Sequence, residues 1–194
     1  MTGALRRVLP AALGAGLLAA VAFATYLATR SGEFRLVDAA GRPHTLDSFP
    51  PNTVLAVYFG YTTCLRACPV ALDNIAAALE ALGPDAATIR PVFVDLDPDR
   101  LTLANMSLYL ESFGGGFLGL TGSPEALAEA TRAFAVRVER LQFSADPTDY
   151  AMTHLSPIFV LRPDEPPSVA LPADSPPDVI EAALRRTLER GPQS

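Results

Sequence analysis

Cys64 and Cys68, in the stretch "YFGYTTCLRACPVAL", are all the cysteine this chain holds, and His44 and His154 are all its histidine. The cysteines stand four positions apart, which leaves three chemistries open: a disulfide switch, a metal clamp or a local staple. Positions four apart on one helical face have Cβ atoms about 5 to 6 Å apart. A disulfide wants them nearer ~3.8 Å, so bridging requires the first helical turn to unwind slightly, and such a strained bond is easily reduced. A staple this short removes little entropy from the unfolded chain and stabilises weakly. Free N–H groups at a helix start, the helix dipole and the cation of Arg66 all favour thiolates. Thiolate is both the nucleophile of disulfide exchange and the soft ligand that selects copper(I) or zinc.

Two sulfurs leave a metal site incomplete. His44 follows a Gly-Arg-Pro turn and reads as a solvated turn residue. His154 lies in "DYAMTHLSP", read as a loop just before the strand "IFVL". In a thioredoxin-like fold, the loop entering that strand lies beside the start of the cysteine-bearing helix, an analogy at the level of the fold. Met152 offers a soft auxiliary ligand, with core packing the favoured reading. Two cysteines and one histidine suit copper in either common oxidation state, and zinc nearly as well.

The surrounding sequence supplies elements that would position these residues. "FRLVD" reads as a strand, "AAGRP" as a turn and "HTL" as a short second strand. "TVLAVYFGY", residues 53–61, is the near-continuous apolar run of a strand buried on both faces. A helix is expected from Val70 to Leu82, stopped by Gly83-Pro84, followed by a buried strand in "TIRPVFVDLD". A helix in "LTLANMSLYLESF" ends at Gly114-Gly115-Gly116, and "FLGLTG" is a short strand. Ser123 as N-cap and Pro124 at the first helical position open a helix to about Phe134. "VRVERLQF" and "PIFVLRP" read as strands, "SADPTDYAMTH" as the loop between them, and "SVALP" as an edge strand. "SPPDVIEAALRRTLE" reads as a final amphipathic helix with Ser175 as its cap. The expected fold class is α/β, thioredoxin-like, with a mixed central sheet and helices on both faces.

Composition removes several functions. All fifteen lysine-plus-arginine residues are arginine, which excludes a Schiff-base or P-loop lysine, and an Ala-, Pro- and Arg-rich chain points to a GC-rich bacterial genome. The net charge of −6, without a basic cluster beyond Arg7, argues against nucleic acid. Residues 8–29 carry no charge and as a helix would span roughly 33 Å, enough for a bilayer core of about 30 Å. Arg6 and Arg7 place the preceding end in the cytoplasm. A cleaved signal peptide with an Ala22-Phe23-Ala24 site is the competing reading, and the length of the run favours the anchor. Either way the domain is exported to an oxidising compartment. The expected organisation is 1–7 cytoplasmic, 8–29 transmembrane, 30–33 linker, 34–190 domain and 191–194 tail, in the inner membrane with the domain facing the periplasm.

"YFGYTTCLRACPVAL", then "FVDLDPDR", "FLGLTGSPEAL" and "MTHLSPIFVLRPD", in that order, resembles the Sco/SenC family, named for synthesis of cytochrome c oxidase. The resemblance implies a membrane-anchored thioredoxin-like domain that binds one copper ion through Cys64, Cys68 and His154. It implies delivery of copper to the dinuclear copper centre of the oxidase's copper-bearing subunit or another client, or upkeep of that centre's thiols. Where relatives usually read Cys-Pro-Asp-x-Cys, this chain has Leu65-Arg66-Ala67, which lowers the expected thiol pKa values and the pull on a cation. Thr153 stands where an acid usually precedes the histidine, and Asp97-Pro98-Asp99-Arg100-Leu101-Thr102-Leu103 loses the second acid and second proline of the family's run. The alternative function is a metal-free thiol–disulfide oxidoreductase in which Cys64 attacks and Cys68 resolves. A copper- or redox-responsive sensor is a third reading.

Overall fold

The computed structural model describes residues 35–191 apart from 148, 166 and 168. The apolar segment at 8–29, its flanks at 1–7 and 30–33, and 192–194 of the expected tail lie outside the described residues. No helix among the described residues is long and apolar enough to cross a membrane.

Seven strands form one mixed sheet in the order β2-β1-β5-β4-β3-β8-β9. They are β1 (Leu36–Asp38), β2 (Pro43–His44), β3 (Val54–Gly60), β4 (Ile89–Asp95), β5 (Leu118–Thr121), β8 (Ile158–Leu161) and β9 (Val169–Leu171). β3 lies at the heart of the sheet, parallel to β4 and antiparallel to β8, and every residue in it is buried. Its two-residue alternation divides the core. Val54, Ala56 and Tyr58 face a cluster closed by α1 (Ala67–Leu82), α2 (Leu103–Glu111) and α4 (Pro177–Arg190). Leu55, Val57 and Phe59 face a second cluster under α3 (Pro124–Ala133). This is the mixed sheet with helices on both faces that the sequence predicts.

Three local expectations change. First, α1 begins at Ala67 rather than Val70, with Arg66 as N-cap. Pro69 falls in the first turn, where its missing N–H has no intrahelical partner to lose. Cys68 is therefore helical while Cys64 sits in the preceding turn, its N–H donating to the Tyr61 carbonyl at 3.0 Å. The two cysteines do not share a helical face. Second, the expected loop at 144–154 contains a strand, β7 (Tyr150–Leu155), paired antiparallel with β6 (Arg137–Gln142) as a two-stranded ribbon apart from the main sheet. His154 is a strand residue opposite Val138. Third, Pro176 rather than Ser175 caps α4, and the Ser175 carbonyl instead accepts from the Asn74 amide at 3.0 Å. Ser123 and Thr102 cap α3 and α2 with their hydroxyls.

Candidate metal centre

The site forms where β3 ends. Gly60 closes that strand, and a Cβ there would lie 2.9 Å from the Cys68 sulfur and 2.8 Å from the Phe93 ring. A glycine at this position leaves the room that the thiol fills. From the other side, Ser156 accepts the Phe59 N–H at 3.3 Å and so draws the start of β8 against β3. His154, two residues earlier, comes beside Tyr58 with ring centroids 6.1 Å apart, and beside Tyr61 at 5.5 Å. The Tyr61 hydroxyl donates to the Met152 carbonyl at 3.0 Å, tying β7 to the cysteine loop.

These constraints bring together residues far apart in sequence. Nε2 of His154 lies 3.8 Å from Sγ of Cys68, and the Tyr58 hydroxyl approaches the same sulfur at 3.8 Å. Cys64 Sγ accepts the backbone N–H of Cys68 at 3.4 Å, so a sulfur takes up one of the free donors at the start of α1. Cys68 is the common neighbour of the other two. Both cysteines are free thiols. Among the described residues no three Cys, His, Asp or Glu side chains stand as a closed metal cluster.

Electrostatics separate the two thiols. Burial works to raise Cys64, but hydrogen bonding to its sulfur, from the Cys68 thiol and from the N–H groups at the start of α1, outweighs it and brings the pKa below the ordinary value. Burial, with the neighbouring Cys64, pushes Cys68 up to about 12. Burial likewise holds the Tyr58 phenol well above its usual range and moves Tyr61 to about 12, so both remain donors. Desolvation lowers His154, which leaves its imidazole neutral at pH 7 with a lone pair to give. Its Nδ1 is buried and meets no hydrogen-bond partner among the described residues. Two sulfurs and a neutral imidazole whose Nε2 lies against one of them fit a soft thiophilic ion.

The other candidates fall away from this centre. His44 donates from Nε2 to the Asp38 carboxylate, 3.2 Å away, and packs against Phe49; it is a bonded residue of β2 rather than a solvated turn residue. Met152 packs on the cluster under α3. Tyr58, Gly60, Tyr61 and Ser156 are the contributors the motif reading passed over, although "YFGY" beside the cysteine pair carried the signal.

The SCO1/SenC family matches residues 24–189. The mouse mitochondrial protein SCO2 homolog is 36% identical over 143 residues, covering 71% of this chain and 54% of the relative. The chain thus spans about half the length of the mammalian relatives it matches. Bradyrhizobium japonicum ScoI, solved with copper bound, superposes with a TM-score of 0.69 at 30% identity, covering 79% of this chain and 96% of that one. Apo Sco1 from Thermus thermophilus gives a TM-score of 0.65 at 32% identity, covering 80% of this chain and 87% of that one.

The thiol asymmetry is directly measurable. Alkylation of the reduced chain with iodoacetamide across pH, mapped by mass spectrometry, should label Cys64 with a midpoint below that of an ordinary cysteine thiol. Cys68 should stay unlabelled through the neutral range. Equal labelling of both at pH 7 would contradict the assigned electrostatics.

Proposed function

This chain belongs to the SCO1/SenC family, and on that premise we propose that it is a copper-binding assembly factor. It holds a single copper ion through Cys64, Cys68 and His154 and passes it to the dinuclear copper centre of cytochrome c oxidase. The observation that carries this reading is the contact of a buried thiol with a half-buried, neutral imidazole across 86 residues of sequence. Copper is cargo here, so the site must both hold and release. Cys64, the more exposed thiol at 9% against 0% for Cys68, is the ligand best placed to be exchanged first with an incoming partner ligand. Cys68 and His154 then keep the ion until a partner supplies a second ligand. Cys68 loses its proton on binding the ion, as any thiol ligand must.

A second reading, a thiol–disulfide oxidoreductase, draws on the thiol asymmetry. The Cys64 thiolate would attack a partner disulfide and release one partner thiolate. Cys68, giving its proton to the adjacent His154 Nε2, would then displace the second thiolate, leaving the Cys64–Cys68 disulfide and a reduced partner.

Copper separates the two. The full-length chain, reduced and kept in mild detergent, should retain equimolar copper(I) through desalting. His154→Ala should bind more weakly by more than the ~10-fold typical of losing an outer-shell partner. A wild-type chain that retains no copper yet reduces a model disulfide briskly would overturn the assembly reading.

We also assign the domain to the periplasmic side of the inner membrane, held by residues 8–29, because that segment is uncharged and preceded by Arg6 and Arg7. Expressed in a bacterial host, the chain should stay in the membrane pellet through alkaline carbonate and become protease-sensitive once the outer membrane is opened. A soluble, shortened chain would mean that the segment is cleaved.

A further inference from the structure

His154 is carried by a ribbon outside the main sheet, so its position depends on what fastens β6 and β7 to the body. Beside the Tyr61–Met152 bond and the packing of Val138 and Met152 on the core, a polar fastening is built on two buried carboxylates at the end of β4. Asp95 accepts the Thr62 N–H through Oδ2 and the Asp97 N–H through Oδ1, both at 2.8 Å. Thr62 lies two residues before Cys64, so Asp95 holds the cysteine loop. Asp97 reaches the other way, for its Oδ1 accepts the Tyr150 hydroxyl at 2.5 Å. Arg100 closes the arrangement, donating Nε to Asp97 Oδ2 at 2.5 Å and Nη1 to the Tyr150 carbonyl at 3.0 Å. The guanidiniums of Arg100 and Arg140 lie 3.9 and 3.5 Å from the Tyr150 ring centroid. Arg140 also donates to Asp99 at 2.8 Å, returning from β6 to the same turn.

The cysteine loop and the histidine ribbon thus hang from one short segment, Asp95 to Arg100. Tyr150, Met152 and His154 share one face of β7, and Tyr150 stands roughly 13 Å along the strand from His154. The Asp97–Tyr150 contact is charge-assisted and buried, where such a bond is strong and its geometry narrow. We propose that Asp97 and Tyr150, clasped by Arg100 and Arg140, form a positioning latch that holds His154 against Cys68 and thereby sets the affinity of the site for copper. The inference rests on the assembly-factor reading for its ligand, and on the hydrogen-bond geometry alone for the latch. None of the four residues touches the ion. They act through the strand that carries His154, as partners beyond the ligands do at other metal sites.

The test uses Tyr150→Phe, which keeps the ring against both guanidiniums and removes only the bond to Asp97, with Arg140→Ala as a second variant. In the full-length reduced chain, copper(I) affinity is read by competition with a chromophoric chelator, and hydrogen exchange is followed at the amides of β7 and α1. Tyr150→Phe should weaken copper binding about tenfold and speed exchange in β7 while leaving α1 unchanged. Arg140→Ala should do the same. Because the latch acts only through His154, Tyr150→Phe/His154→Ala should bind copper no more weakly than His154→Ala alone. Unchanged affinity and exchange in Tyr150→Phe would overturn the latch. An equal further loss on the His154→Ala background would also overturn it, by exposing a general loss of structure. A wild-type chain that holds no copper would overturn the function reading instead, and β7 exchange would still decide whether the latch exists.

Discussion

A buried thiol and a half-buried imidazole lying side by side, with 3.8 Å between Cys68 Sγ and His154 Nε2, leave each other few alternatives. Burial makes it costly for the thiol to ionise and for the imidazole to gain a proton, so in the empty site both are neutral. A soft cation changes that balance, because it accepts both lone pairs and repays the lost proton. Much of the surrounding architecture serves this contact. Gly60 leaves space at the end of β3, Ser156 draws β8 to β3, and Tyr61 ties β7 to the cysteine loop.

Cys64 supplies what a sealed site would lack. It stands outside α1, with its sulfur over the first N–H groups of the helix, and its thiolate is favoured where that of Cys68 is not. Of the two thiols, Cys64 is thus the less enclosed and the readier to ionise. The residue beside it, Leu65, is 90% exposed, and Leu155 beside His154 is 75% exposed. Leu155 joins Tyr58, Ala67, His154 and Leu171 in lining a groove. Leu65, Arg66 and Ala67, between the two cysteines, are all exposed.

Much of this was legible in the sequence, and the exceptions have physical causes. The apolar run of β3, the glycine and proline stops after α1 and the Ser123 cap are local signals, and each reads true. The nearness of His154 to Cys68 was legible only through the analogy with a thioredoxin-like fold, since 86 residues separate them. β7 was hidden because its partner is β6 and its leading residues, "SADPTD", carry strong turn chemistry; strand pairing outside the main sheet has no local signature. The early start of α1 was hidden by Pro69, which reads as a boundary but is tolerated in a first turn. The Asp97–Tyr150 contact joins residues 53 apart, and neither residue type announces the other.

The claim on which the account turns is that copper is held by two sulfurs and one imidazole nitrogen of a single chain. X-ray absorption at the copper edge, on the copper(I)-loaded full-length chain, reads that ligand set directly. The account predicts two sulfur neighbours with the outer-shell scattering of one imidazole, and loss of the imidazole signal in His154→Ala. A sulfur-only shell in the wild-type chain, or an imidazole signal that survives in His154→Ala, would contradict it.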